Sequence, residues 1–351
     1  MKKFNILQLV TGLGVGGAER VILDLSRSLD KEIFNNYVVS MSCRKELLGE
    51  FHINGINTVV LDKTNSVKDF ILLIKYLNTF VKKKHIDIIH AHLPHALIVG
   101  SFVKLFNPRV KIVFTSHSLN IESKFREIII YLLKPLRNRD IVFSKDIVKF
   151  FYKKNFTIIP NGIDIEKYHI QKEKFPIFTY IAVGRLESMK NHKLLIEIAN
   201  KLKKENYLFQ ILIVGEGELR LELEELITKY GLVGIVKLLG LRNDIANLLN
   251  QSHCFLMPSI YEGLPISMLE AGASSLPVIT TPVGSIPSLV NNKNGYLCLE
   301  KEFEMAMKKV YEDYSTAKKK GDILYNKVRE LYSLSSVVRE HEKLYLELSK
   351  V

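Results

Sequence analysis

The sequence of 351 residues is poor in cysteine and has no long apolar stretch. Cys43, Cys254 and Cys298 are too few and too scattered for a disulfide framework or a zinc site. Cys254 and Cys298 lie in apolar runs, which predicts small buried side chains there. No apolar run approaches the roughly 20 residues that span a bilayer. The first residues, MKKFNILQLVTGLG, lack the small-residue cleavage site of a signal peptide. A cytoplasmic protein is therefore expected.

Acidic residues are scarce in the first half of the chain. Residues 1–165 contain 25 Lys and Arg against 14 Asp and Glu, whereas residues 166–351 contain 25 against 23. The formal net charge of +13 is compatible with nucleic acid, an anionic membrane surface or a phosphate-rich ligand. No basic motif with interleaved aromatic residues supports nucleic-acid binding. We therefore expect no nucleic-acid partner, and the anionic partner should meet the first half.

A glycine-rich loop near the start lacks what two known nucleotide motifs require. Gly12, Gly14 and Gly17 have the GxGxxG spacing, but the next predicted strand does not end on the acidic residue that a dinucleotide site needs. No Gly-Lys-Ser/Thr follows, which excludes a P-loop. Gly16 and Gly17 still allow a ligand to approach the backbone at a helix start, where free N–H groups favour an anion. Tight packing of strand on helix is the alternative.

Short β-branched runs alternate with helical patterns along the whole chain, which indicates an α/β fold with parallel sheets. The alternation restarts after residue 175, and the turn-rich segment 161–176 is the best candidate for a linker. We therefore predict two Rossmann-like, doubly wound domains, 1–165 and 166–351, that face a central cleft. The final helix, 334–351, is amphipathic, and the first domain is one candidate surface for its apolar face.

Candidate chemistry in the second half begins with two loops that follow predicted strands. VGRLESMKNH (183–192) places Arg185 and Lys190 beyond a strand end, where two cations could hold a diphosphate. A solvated basic loop is the alternative. VGEGE (214–218) is a turn between strand and helix, in which Gly215 and Gly217 allow close approach of the backbone.

The segment PSIYEGLPISMLEAGA (258–273) is the most informative of the second half. Glu262 lies in a turn, Pro265 is suited to the start of a helix, and Glu270 lies within that helix. The two carboxylates should therefore address different parts of one extended ligand. The free N–H groups of Ile266 and Ser267 suit a phosphate oxygen. A glutamate within an apolar run is costly unless it is hydrogen-bonded, which makes a ribose diol a reasonable partner. Capping or surface carboxylates are the alternative.

Histidines cluster in HAHLPH, where His90, His92 and His95 lie within six residues. No nearby carboxylate completes a set of metal ligands. Two interpretations of His92 remain open: it packs at the end of a strand, or it lines the cleft. By itself, His117 is more typical of a structural histidine than of a catalytic one.

The stretch FREIIIYLLKPLRNR (125–139) combines apolar and basic residues. One interpretation is a helix packed on the core with a solvated basic rim. The other is peripheral docking on anionic lipid, which would suit a lipid-linked acceptor because the basic surplus lies in this domain.

Taken together, these segments resemble the retaining GT-B glycosyltransferases of family 4, the group 1 glycosyl transferases. The matching segments follow the family's order and cover nearly the whole chain: GVGGAERVILDLSRSL, DIIHAHLPH, FTSHSL, IIPNGID, VGRLESMKNHKLLIEIA, ILIVGEGELR, VKLLGLRNDIANLL and PSIYEGLPISMLEAGASSLPVITTPVGS. The E-x7-E element with its EGLP turn, together with GRL-x3-K, is specific. Leu264 departs from the phenylalanine that often follows the Glu-Gly pair.

The resemblance implies a retaining hexosyl- or N-acetylhexosaminyltransferase that uses a nucleotide sugar, with UDP favoured, in surface polysaccharide synthesis. It implies catalytic roles for Glu262, His117, Arg185 and Lys190. It implies donor binding by Gly16, Gly17, Arg185, Lys190, Gly215, Glu262, Gly263, Leu264, Ile266, Ser267 and Glu270. No metal or other cofactor is expected, since cationic side chains and helix ends stabilise the charge.

The expected acceptor is a glycan or a polyprenyl-linked glycan, and the protein is cytoplasmic or peripheral on the inner face of the cell membrane. A GT-B epimerase or phosphorylase is the alternative enzyme. A basic protein that binds nucleic acid or membrane without catalysis is the alternative of another class.

Overall fold

The computed structural model describes residues 3–14, 16–63, 66–117, 123–145 and 148–349. The chain divides into two compact units: unit 1 comprises Met1–Gly162 with Leu334–Val351, and unit 2 comprises Ile163–Ser333. The sequence-based boundary after residue 165 lies slightly further along the chain than this division. The C-terminal helix groups with unit 1.

The described part of unit 1 forms one parallel sheet of seven strands in the order β3-β2-β1-β4-β5-β6-β7. Its strands are β1 (Phe4–Val10), β2 (Phe34–Ser40), β3 (Asn57–Val60), β4 (Ile88–His92), β5 (Lys111–Thr115), β6 (Arg139–Val142) and β7 (Thr157–Ile158). Its helices are α1 (Gly17–Ser28), α2 (Leu48–Ile53), α3 (Val67–Lys83), α4 (Leu93–Phe106), α5 (Lys124–Leu132) and, at the C-terminus, α14 (Leu334–Ser349).

Unit 2 is described throughout and forms a parallel sheet of six strands in the order β10-β9-β8-β11-β12-β13. Its strands are β8 (Phe178–Val183), β9 (Phe209–Val214), β10 (Val236–Leu238), β11 (Cys254–Met257), β12 (Val278–Thr280) and β13 (Tyr296–Leu297). Its helices are α6 (Ile165–Tyr168), α7 (His192–Lys204), α8 (Arg220–Lys229), α9 (Ile245–Gln251), α10 (Ile266–Ala273), α11 (Ile286–Leu289), α12 (Phe303–Glu312) and α13 (Tyr314–Leu331).

Helices on both faces bury these sheets, which is why the strands are nearly continuous apolar runs. In unit 1, α3 and α4 pack on one face, and α1 and α14 pack on the other. Tyr345 and Leu348 of α14 lie in the same apolar cluster as Ile6 of β1. The strand order reverses beside β1 in unit 1 and beside β8 in unit 2, and parallel sheets bind ligands at such switch points.

Several local expectations were wrong. The segment 161–176, the candidate for a linker, contains α6, capped by Asp164 and carrying the buried Tyr168, and the strand before it, β7, has only two residues. Cys254 is buried as expected, but Cys298 is only partly buried. A strand of two residues and a single helical turn give too little periodicity for a sequence pattern to define them.

Helix α5 exposes several of the apolar residues that one of the two interpretations of this stretch packed on the core. Phe125 is 70% exposed and Leu132 is 67% exposed, whereas Ile130 is fully buried. Four apolar residues in succession (128–131) surround the helix, so the sequence pattern does not select the face that packs. The helix ends at Leu132, within the stretch 125–139.

Candidate active site

The loops that follow β8 and β11 lie side by side, because those two strands are neighbours at the switch point of unit 2. The first loop carries Arg185 and Lys190, and the second carries Glu262. The backbone N–H of Ile260 in the second loop donates to the carbonyl of Met189 in the first (2.9 Å). The predicted cationic and carboxylate residues are therefore brought together at the carboxyl edge of one sheet.

The glycine turn after β9 packs directly on the loop that carries the cations. Gly215 has φ of 141°, and a Cβ there would lie 2.0 Å from the carbonyl oxygen of Gly184. A Cβ on Gly217 would lie 2.4 Å from the carbonyl oxygen of Leu186. The backbone of Gly215 is therefore required for packing between the two loops, and its contact with a ligand stays a prediction.

Lys190 and Glu262 form the central polar contact of unit 2. Lys190 Nζ lies 2.6 Å from Glu262 Oε1, and Ser259 Oγ donates to the same oxygen at 2.7 Å. The Glu262 side chain is 8% exposed and the Lys190 side chain is 19% exposed. A paired, hydrogen-bonded carboxylate in this environment is held in one position, because breaking either contact would leave it buried and unsatisfied.

The turn around Glu262 is supported by the loop that follows β12. Gly284 has φ of 56°, and a Cβ there would lie 1.8 Å from the carbonyl oxygen of Glu262. Ser285 N–H donates to the carbonyl of Gly263 (3.1 Å), and Leu264 is buried beside them. The Pro/Gly-rich segment 280–290 therefore packs against the turn that carries Glu262.

Arg185 is the more accessible of the two predicted cations. Its side chain is 68% exposed and its guanidinium pairs with Glu187. The Glu187 side chain is 23% exposed, so the pair is partly solvated and contributes little to stability, and Arg185 can exchange Glu187 for another anion at small cost. The buried His192 follows in the same segment. Burial lowers the pKa of His192 to about 4, and the charge of Lys190 acts in the same direction.

Glu270 is not buried, as its apolar surroundings in the sequence suggested, but partly exposed. Tyr168 of α6 donates its hydroxyl to Glu270 Oε1 at 2.5 Å. Helix α10 begins at Ile266 after Pro265, whose own side chain makes no capping hydrogen bond. The N–H groups of Ile266 and Ser267 are therefore at the helix start, as predicted. Tyr168 was missed because it lies about 100 residues earlier, in a segment interpreted as a linker.

The predicted residues of unit 1 lie at the switch point of its own sheet. Gly16 precedes α1 and Gly17 is its first residue, and both are exposed. Gly16 has an ordinary extended backbone, and a Cβ there would meet only the end of the Glu19 side chain. Packing within unit 1 therefore does not explain the glycine at position 16, which weakens the alternative of tight strand–helix packing.

His90 and His92 of HAHLPH belong to a hydrogen-bonded network, whereas His95 is exposed. His92 Nδ1 lies 2.8 Å from His117 Nε2, and His90 Nδ1 lies 2.6 Å from the hydroxyl of Tyr345. Burial lowers the pKa of His117 to about 3, and burial also holds the pKa values of His90 and His92 well below the ordinary range. Among the described residues, no group of three or more His, Cys, Asp or Glu side chains is arranged to hold a metal ion.

No helix in the described part of the chain is long and apolar enough to span a bilayer.

The structure closely matches solved proteins. It superposes on the Anabaena protein HepE in complex with UDP with a TM-score of 0.85, at 19% identity, over 98% of this chain and all of that one. A glycosyltransferase from Rickettsia africae matches with a TM-score of 0.86 at 18% identity over 99% of each chain. The fold of two parallel-sheet α/β units is the GT-B fold.

In sequence comparison, each unit matches a glycosyltransferase family model. The family model described as Glycosyltransferase Family 4 matches residues 15–167, and the model described as Glycosyl transferases group 1 matches residues 164–327. The Escherichia coli UDP-Gal:alpha-D-GlcNAc-diphosphoundecaprenol alpha-1,3-galactosyltransferase is 30% identical over 66% of this chain and 67% of its own length. The Staphylococcus aureus capsular polysaccharide biosynthesis glycosyltransferase CapH is 27% identical over 80% of this chain and 81% of its own length.

Proposed function

Since this chain belongs to the family 4, group 1 glycosyl transferases, we propose that it moves a hexose or N-acetylhexosamine from a UDP-sugar to a lipid-linked glycan with retention of configuration. The Lys190–Glu262 pair beside Arg185, at the switch point of unit 2, carries the proposal. The galactosyltransferase from Escherichia coli and CapH, whose names specify a diphosphoundecaprenol acceptor and capsular polysaccharide, support the choice of acceptor.

The proposed donor site follows from the charges at the carboxyl edge of unit 2. Arg185, whose exposed side chain pairs with the partly buried Glu187, would exchange this carboxylate for the diphosphate. Lys190 would contact the same group while remaining paired with Glu262. Glu270, held by Tyr168, would accept hydrogen bonds from the ribose, and the N–H groups of Ile266 and Ser267 would bind a phosphate oxygen. A solved complex of HepE with UDP supports the nucleotide assignment.

In the proposed reaction, an acceptor hydroxyl oxygen attacks the anomeric carbon from the side of the departing UDP. The bond from the anomeric carbon to the phosphate oxygen breaks, and that oxygen takes the proton of the acceptor hydroxyl. Lys190 and Arg185 stabilise the negative charge that develops on UDP. Glu262 would contact the transferred sugar. These side chains supply the charge stabilisation, so no metal is assigned to the site.

Transfer with purified protein tests the proposal. We expect release of UDP from one UDP-hexose or UDP-N-acetylhexosamine in the presence of a polyprenyl-diphosphate-linked sugar, at the same rate with and without EDTA. The anomeric proton coupling of the product should match that of the donor. An inverted product would contradict retention, and loss of activity in EDTA would contradict the metal-independent site.

A membrane role is part of the proposal and has its own support in unit 1. The exposed apolar side chains of α5 are accompanied by Phe102, Leu105 and Phe106 of α4, which packs against it. Lys134 Nζ lies over the Tyr131 ring at 4.7 Å and provides a cation beside this surface. Inserting one large apolar side chain into lipid contributes about 1.5–3 kcal/mol, and anionic headgroups favour the basic residues.

Vesicle sedimentation tests this surface. At low salt we expect the protein to sediment with phosphatidylglycerol vesicles and not with phosphatidylcholine vesicles. The double variant Phe125→Ser, Leu132→Ser should lose most of this binding. Leu221→Ser with Met305→Ser, which replaces two equally exposed apolar residues in unit 2, is the matched control and should bind like the wild type. Equal binding of all three proteins would contradict the assigned surface.

A further inference from the structure

The hydroxyl of Tyr168 donates a hydrogen bond to the carboxylate of Glu270. Tyr168 is the last residue of α6, is 5% exposed, and lies 2.5 Å from Glu270 Oε1 through its hydroxyl oxygen. A hydrogen bond from a hydroxyl to an ionised carboxylate is short and about twice as strong as one between neutral groups. The buried tyrosine therefore holds the partly exposed glutamate side chain in one orientation.

The backbone and the flank of α6 are themselves held in place within unit 2. Asn250 of α9 donates its side-chain amide to the carbonyl of Tyr168 at 2.7 Å and to the carbonyl of Ala246 at 2.7 Å. The next ring, His169, stacks on Tyr325 of α13 with centroids 4.1 Å apart. These contacts fix α6 against α9 and α13, so the tyrosine hydroxyl approaches α10 from a fixed position.

Glu270 lies one turn after Ile266 and on the same face of α10, because side chains four residues apart in a helix share a face. Helical side chains also lean toward the N-terminus of their helix, which directs the carboxylate toward the N–H groups proposed to bind a phosphate oxygen. An ionised carboxylate only accepts hydrogen bonds. In a nucleoside diphosphate, the ribose hydroxyls are the donors close to the phosphates, so they are the groups that this carboxylate can bind.

We propose that Tyr168 is a positioning residue that makes the donor site selective for the ribose hydroxyls, because it fixes the Glu270 carboxylate before the nucleotide binds. This inference rests on the proposed function and adds a specificity-determining residue to it. A glutamate side chain that is free to rotate loses conformational freedom when it binds a hydroxyl, which weakens the contact. With the carboxylate held by Tyr168, that loss occurs on folding, and a ligand without the hydroxyls forfeits the whole hydrogen bond.

Calorimetric titrations with UDP and with 2′,3′-dideoxy-UDP, which lacks both ribose hydroxyls, test the inference. The wild type should bind UDP about tenfold more tightly than the dideoxy compound, the effect of a hydrogen bond to a charged group. Tyr168→Phe, which removes only the hydroxyl oxygen, should bind UDP about fivefold more weakly and reduce that preference to about twofold. A purely structural role would weaken both ligands equally, so an unchanged preference in Tyr168→Phe would overturn the inference.

Two further variants show whether Tyr168 acts through Glu270. In the Glu270→Ala background, Tyr168→Phe should have no further effect on UDP affinity, because both changes remove the same contact. Tyr207→Phe is the matched control, since the Tyr207 hydroxyl also donates to a glutamate of unit 2, Glu312, at 2.5 Å. It should leave both affinities unchanged. Additive losses in the double variant, or a loss in Tyr207→Phe as large as that in Tyr168→Phe, would overturn the inference.

A spectrum of the free protein tests the contact without any nucleotide. In protein labelled with ¹³Cζ-tyrosine, the Tyr168 signal, identified by its absence in Tyr168→Phe, should shift in Glu270→Ala and not in Glu225→Ala. A signal that did not shift in Glu270→Ala would overturn the inference. A wild type that bound no UDP would contradict the proposed function. A wild type that bound UDP and the dideoxy compound equally would leave UDP binding intact and overturn this inference.

Discussion

Lys190→Ala should lower kcat/KM for sugar transfer by about 10²–10³-fold, equivalent to about 2.7–4 kcal/mol of transition-state stabilisation. The ammonium group is the partly buried cation of the candidate site and lies 2.6 Å from Glu262 Oε1. Its removal eliminates a charge that opposes the developing charge on UDP. It also leaves the Glu262 carboxylate with Ser259 as its remaining direct partner at this oxygen. Steady-state transfer rates measure the effect.

Lys193→Ala provides the control for that prediction. Lys193 lies one turn further along, is half-exposed, and faces Glu222 at 3.9 Å. Its removal should change kcat/KM less than about twofold, because an exposed pair at this distance contributes little. Lys190→Ala with unaltered transfer would remove Lys190 from the proposed chemistry. Equal losses in both variants would indicate a general effect of net charge.

Unit 1 should be strongly destabilised by mild acid. His90, His92 and His341 are buried, burial lowers their pKa values, and the pKa of His341 falls to about 4. In the unfolded chain these histidines have a pKa of about 6.5 and take up protons below it, whereas in the folded protein their rings stay neutral. The contribution of the neutral rings to the free energy of unfolding is therefore fully present above about pH 6.5 and is lost as the pH falls. Each ring contributes roughly 2 kcal/mol between pH 7 and pH 5, or on the order of 6 kcal/mol together.

Hydrogen exchange measures this loss separately for each unit. The protection of β4 and α14 in unit 1, corrected for intrinsic exchange, should fall more steeply with pH than that of β9 in unit 2. His341→Met should reduce the slope in unit 1 by about 1.4 kcal/mol per pH unit, because one buried titrating ring is removed. Identical pH slopes in wild type and His341→Met would contradict the assignment of the destabilisation to these rings.

The sequence predicts the fold well where runs are long and apolar. Local sequence patterns that packing does not override predict three features: the two series of strands, the loops after β8 and β11, and the start of α10. The same patterns identified Arg185, Lys190 and Glu262 as neighbours, because the carboxyl ends of parallel strands share one edge.

The partners of those residues could not be predicted, because they are non-local. Tyr168 reaches Glu270 across about 100 residues, and Tyr345 reaches His90 from the far end of the chain. No local pattern encodes such contacts, and the spacing of HAHLPH left packing at the strand end and a position lining the cleft both open for His92. The exposed face of α5 was also not defined, because its central apolar residues cover every side of the helix.

The most direct test of the donor site is a calorimetric titration of the purified protein with UDP. The account predicts that the wild type binds UDP and that Glu270→Ala, which removes the carboxylate held by Tyr168, binds it at least about tenfold more weakly. Glu225→Ala, an exposed carboxylate on α8, should bind UDP like the wild type. The assignment of the donor site would be contradicted if the wild type bound no UDP, or if it bound UDP no more tightly than Glu270→Ala does.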